Sequence, residues 1–175
     1  ATTLCWLWPN LSFAATAPIS VADARRLSIE DPREFLAISP QWLTSEHAKQ
    51  DANWRREILL RRGRAAWILA DRSVTRESAF ALEALAVDAQ MPLARAYALL
   101  LKADESADFG LYEAANADVS AAAEILRATE DPHWQALANT ELCDAYWSSG
   151  PPELAMRYCR SAEKQLQEGG DQWLL

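Results

Sequence analysis

The segment 136–169 constrains the fold most. Leu142 and Tyr146 in its first half, and Ala155, Cys159 and Ala162 in its second, follow helical spacing on either side of Gly150-Pro151-Pro152. Apolar residues three, four or seven apart share one face of a helix. The Gly-Pro-Pro break ends one helix and starts another. A single helix pair of this kind cannot bury its apolar face alone, so the rest of the chain is expected to supply stacked neighbours.

The same rhythm recurs upstream. A helix over about 45–70 carries Trp54, Ile58, Leu59, Ala65, Ala66 and Leu69 on one stripe, with Gly63 in its interior. Glycine there costs about 1 kcal/mol against alanine, which a closely approaching helix would offset. Residues 71–75 read as a turn and 79–89 as the partner helix. Met91-Pro92 opens a second unit, in which Ala94, Tyr97, Ala98 and Leu101 repeat the spacing. Residues 104–110 are polar and end in Gly, so they read as its turn, followed by a partner helix over 111–129. Asp131-Pro132 opens the third unit, 132–148 with 152–168. Upstream of these units, Ser20 with Asp23 caps a helix over 20–29. Asp31-Pro32 starts another, which Pro40 is expected to end. Gly169-Gly170 closes the last helix, and Asp171 would cap a further element that the chain barely enters. The helical repeat domain is therefore taken as 20–175, truncated at its C-terminus.

Residues 1–19 carry no charged side chain. Leu4-Cys5-Trp6-Leu7-Trp8 followed by Ser12-Phe13-Ala14-Ala15-Thr16-Ala17 reads as an apolar leader, the remnant of a signal peptide cleaved near Ala14 or Ala17. Its alternatives are a leader packed on the first helices or the end of a membrane span. No later stretch is long and apolar enough to cross a bilayer. The formal net charge of −8 argues against a nucleic-acid surface, which needs a clustered basic face. Abundant alanine and scarce β-branched runs favour helix over strand.

The units over about 50–169 resemble tetratricopeptide repeats (TPRs) in the spacing of Leu59, Gly63 and Ala66, of Ala94, Tyr97, Ala98 and Leu101, and of Leu142, Tyr146, Ala155 and Ala162. Asn139 stands where the family pattern has Trp, and Cys143 and Cys159 replace its small and bulky residues. Pro92 and Pro132 are 40 residues apart, against about 34 in the family. The excess is assigned to the 104–115 turn and a longer second helix. The resemblance implies an all-α fold, a right-handed TPR-like α-solenoid of antiparallel helix pairs. The wider rhythm is similar to the sensor regions that precede diguanylate cyclase or histidine kinase modules in bacterial signalling proteins. That likeness implies a periplasmic ligand- or protein-binding module, not an enzyme, with a cytoplasmic scaffold or the helical part of a larger enzyme as alternatives.

In TPR arrays the first helix of each unit lines a concave groove. Carried over, this gives Arg64, Trp67, Arg95, Leu99, Lys102, Asp144 and Trp147 as the groove. The expected partner is a peptide, a protein or a small anionic ligand held near Arg64 and Arg95 by forked hydrogen bonds. A homodimer is compatible with this reading. The Lys and Asn pairs of carboxylate-clamp TPRs are absent. Against the groove reading, the favoured expectation for Arg55, Arg56, Arg61, Arg62 and Arg64 is a solvated helix face paired with nearby Asp and Glu, and for Trp67 and Trp147 it is packing in the core or between repeats. No catalytic, phosphate-loop or metal motif is present, so no cofactor is implied. Cys143 and Cys159 face each other across one helix pair and read as two buried thiols, unless their Cα atoms lie within about 7 Å. His47 and His133 read as surface residues.

Overall fold

The computed structural model describes residues 19–129, 132–149 and 151–169. The regular structure among the described residues is α-helical. Three shorter helices, α1 (Val21–Glu30), α2 (Pro32–Leu43) and α3 (Glu46–Gln50), precede six longer ones. These are α4 (Ala52–Ile68), α5 (Arg72–Asp88), α6 (Pro92–Asp108), α7 (Tyr112–Arg127), α8 (Pro132–Ser149) and α9 (Pro152–Gly169). The leader expected over 1–19 lies, apart from Ile19, outside the described residues, as does the element after Gly169.

Each long helix packs on its neighbours in sequence, α4 also touches α6, and α1–α3 close on α4. The expected pairs α4–α5, α6–α7 and α8–α9 are all present. The main core runs from Leu59 and Leu60 through Leu82, Tyr97, Leu100, Leu101 and Leu126 to Leu137 and Leu142. A second, smaller core joins Ala24, Phe35, Ala48, Trp54, Ile58 and Ala65 at the N-terminal end. The Trp54 indole N–H donates to the Ile19 carbonyl at 2.8 Å, which ties the start of the described chain to α4.

The repeat is regular. α4, α6 and α8 begin at residues 52, 92 and 132, and α5, α7 and α9 at 72, 112 and 152, so both series advance by 40. The turns explain this regularity. Ala70, Gln90 and Gly110, spaced by 20, have φ of 58°, 50° and 72°. At each, the following N–H reaches back to a carbonyl of the last helical turn: Asp71 to Ala66 at 2.8 Å, Met91 to Ala86 at 3.1 Å and Leu111 to Ser106 at 2.9 Å. The left-handed residue's own N–H bonds Trp67, Val87 or Ala107 respectively. This is Schellman termination, which satisfies carbonyls that the helix end leaves open. Gly110 adopts it freely. Ala70 and Gln90 do so at a cost of about 1–2 kcal/mol each, offset by the packing of the helices they join.

Several expected boundaries move for local reasons. The helix expected over 45–70 breaks at Asp51, which ends α3 and accepts the Trp54 N–H at 2.9 Å as the N-cap of α4. α5 starts at Arg72 rather than 79, because Asp71 caps it by accepting from Val74 N–H at 3.2 Å. α6 continues to Asp108, so 104–108 is helix and not turn, and the 40-residue period comes from long helices on both sides of a short link, Phe109-Gly110-Leu111. α2 passes through Pro40 to Leu43. The Leu36 carbonyl, which the proline cannot serve, accepts from the Ser39 hydroxyl at 3.5 Å.

Gly63 is required by the close approach of a neighbouring helix. A Cβ there would lie 2.3 Å from Leu101 Cδ1 on α6, the first helix of the next unit, and Leu101 is itself fully buried. The α5 partner contributes instead a hydrogen bond, from the Thr75 hydroxyl to the Gly63 carbonyl at 3.3 Å. Cys143 and Cys159 form a disulfide between α8 and α9, with Cα atoms 5.0 Å apart, and are not two thiols. His47 is half-buried and packs edge-on against Trp54 at 4.9 Å rather than lying on the surface. The His133 side chain lies outside the described residues.

Candidate functional site: a groove between α4, α6, α7 and α8

The 40-residue period defines equivalent positions on α4, α6 and α8. Arg64, Asp104 and Asp144 form one such set, and Trp67, Ala107 and Trp147 another. All six line a cavity of about 370 Å³, together with Ile68, Ala103, Tyr112, Ala115, Asn116, Val119, Glu141 and Ala145. α7 forms the side wall, with Tyr112 at its first turn. The size lies at the lower end of small-molecule sites.

The floor is charged. Arg64 forms an ion pair with Glu141, whose side chain is 8% exposed. Burial works against the Arg64 charge, but Glu141, Asp104 and Asp144 more than offset it and hold its pKa above the usual arginine value. Burial also pushes the Asp104 carboxyl up to about 6; Arg64 opposes this, while Glu141, Asp108 and Asp144 add to it. Asp144 is raised for the same reasons, burial first and then Glu141, against Arg64. Three carboxylates thus surround one guanidinium that is already paired. Among the described residues no three His, Cys, Asp or Glu side chains converge closely enough to hold a metal ion.

The walls are aromatic. Trp67 is 42% exposed, Tyr112 47% and Trp147 67%, with Ile68 beside them. Large apolar side chains left open around a concavity differ from scattered surface residues, because together they offer a contact surface.

Four of the seven groove residues expected from sequence, Arg64, Trp67, Asp144 and Trp147, are brought together here. The other three are not. Arg95 is exposed outside the cavity, Leu99 is half-buried against the main core, and Lys102 pairs with Glu83 of α5. The cause is a register slip. The period carries Arg64 to Asp104, whereas TPR spacing selected Lys102, and two residues on a helix are a rotation of about 200°. Asp104, Glu141, Tyr112 and Asn116 were missed. Asp104 was detectable from the Pro92–Pro132 interval but had been assigned to a turn. Arg95 does not join Arg64 in the cavity lining.

Arg56, Arg61 and Arg62 are paired with acidic neighbours, as the alternative expects, but their side chains are largely buried rather than solvated. Arg62 bonds Glu77 at 3.2 Å and the Ser78 hydroxyl at 3.3 Å. Arg56 and Arg61 flank Glu57, at 3.0 and 4.0 Å. Glu57 also accepts from the Tyr97 hydroxyl at 3.0 Å, and the Arg56 guanidinium lies 5.5 and 5.6 Å from the ring centres of Tyr97 and Trp134.

The raised Asp104 predicts a pH signature. Between the ordinary aspartate range and about pH 6, the folded chain holds a proton that the unfolded chain releases. This group therefore favours the fold at low pH, and the advantage is lost as pH rises through about 6. Asp104→Asn should stabilise the chain by about 1–2 kcal/mol at pH 7.5 and change it little at pH 4. Urea unfolding at the two pH values checks this; equal effects at both would contradict it.

No protein-family model, curated protein or solved structure matches the chain.

Proposed function

We propose that this chain is an interaction module of the TPR-like solenoid type, the extracytoplasmic sensor region of a bacterial signalling protein, which binds its ligand in the groove. The observation that carries the reading is the exposure of Trp67, Tyr112 and Trp147 around a cavity floored by the buried Glu141 and the half-buried Arg64 and Asp104. An ionised Asp104 that works against the fold is expected where a residue is kept for binding rather than stability. The 40-residue period departs from the TPR length, yet the logic of the array is the same: first helices turn one face outward, and equivalent positions line a common surface. The Cys143–Cys159 bridge supports placement outside the cytoplasm, because such bonds persist in oxidising compartments.

A thermal-shift screen of the 175-residue chain against small metabolites and short peptides tests this. Hits should lose their shift in Trp147→Ala, whose own stability changes little because the side chain is largely open, and in Trp67→Ala, read against that variant's own melting temperature because the side chain is only partly open. Hits that persist unchanged in both variants would place binding elsewhere and reject the groove.

A further inference from the structure

We infer that the groove takes a small organic cation, an ammonium group carried on an apolar or aromatic body. This rests on the groove being the binding site and adds the chemistry of what enters it. The first observation is the charge balance. Asp104, Glu141 and Asp144 face one guanidinium, Arg64, whose charge is already committed to Glu141. An anion entering here would meet a lining in which carboxylates outnumber the single cation, Arg64. A cation gains from that excess of negative charge.

The second observation is independent of charge. Trp67, Tyr112 and Trp147 leave open aromatic surface toward the same space. Ring faces attract cations, Trp most strongly, and combine with nearby carboxylates in ammonium recognition. The carboxylates do not converge as metal ligands, and a cavity of about 370 Å³ has room for an organic body. Ile68, Ala107 and Val119 supply the apolar contact for that body.

Ligand-observed NMR on the 175-residue chain with three matched probes tests this: 2-phenylethylamine, 2-phenylethanol and 3-phenylpropionate. The amine should bind and the other two should not. Asp144→Asn, which keeps size and hydrogen-bonding groups, and Trp147→Ala should each weaken the amine by about tenfold. Raising the salt concentration should weaken it further. Carboxylate binding that Trp147→Ala abolishes would leave the groove intact and overturn the cation. Amine binding indifferent to both variants would place it on another surface and overturn both readings. A panel in which no probe binds removes the cation, and the metabolite and peptide screen then judges the groove separately.

Discussion

Glu57→Ala should destabilise the chain by about 3–5 kcal/mol, the largest effect expected of any substitution considered. The Glu57 side chain is 7% exposed, and that of Arg56 beside it is 8% exposed. Glu57 Oε1 accepts from Arg56 and from the buried Tyr97 hydroxyl, each at 3.0 Å, and its other oxygen lies 4.0 Å from Arg61. Removing the carboxylate leaves Arg56 with Asn53 and two aromatic rings but no counter-charge, and leaves the Tyr97 hydroxyl without this acceptor. The penalty is mainly that of buried charge left uncompensated, not the net worth of the pair. Glu57→Gln, which keeps an acceptor but not the charge, should fall between wild type and Glu57→Ala. Urea unfolding monitored by circular dichroism gives both values. A loss below about 1 kcal/mol for Glu57→Ala would mean that the cluster is solvated, with the weight of a surface pair.

Breaking the Cys143–Cys159 bridge should cost about 3 kcal/mol, the entropy of closing a loop of this length in the unfolded chain. The two cysteines are 16 residues apart in sequence and join α8 to α9. α9 packs chiefly on α8, through Ala155, Ala162 and Leu166. Stability in a stacked array is nearly a sum of neighbour terms, so the loss should be local. In Cys143→Ser/Cys159→Ser, amide exchange should accelerate in α9 and the C-terminal half of α8 and stay unchanged in α4 and α5. Uniform acceleration across all helices would contradict the modular picture, and no acceleration in α9 would contradict the bridge.

Helix content and pairing were legible because they depend on local chemistry: apolar spacing, Asp and Ser caps, and prolines at first turns. Boundaries were less legible where one residue serves two ends. Asp51 both closes α3 and caps α4, and Asp71 caps a helix that begins before any apolar residue marks it. The turns were hidden most deeply. Ala70 and Gln90 are poor left-handed residues, and only the packing of the flanking helices holds them there. Half of the groove was visible, since Arg64, Trp67, Asp144 and Trp147 sit on outward faces that periodicity locates. The middle helix was misread because Asp104, Glu105, Ser106 and Asp108 look like a polar turn, although Asp104 is polar for facing the groove. The Arg64–Glu141 pair joins residues 77 apart in sequence, and no local pattern announces it.

The central claim is that α4, α6 and α8 present one binding groove, and its most direct test reads the tryptophans themselves. The eight indole N–H groups of the ¹⁵N-labelled chain give separate NMR signals that single Trp→Phe substitutions can assign. On titration with 2-phenylethylamine, the signals of Trp67 and Trp147 should move together along one saturating curve. Those of Trp54, buried in the N-terminal core, and Trp134, at the other end of α8, should stay in place. Shifts confined to Trp54 or Trp134, or Trp67 and Trp147 moving with different midpoints, would contradict a single groove.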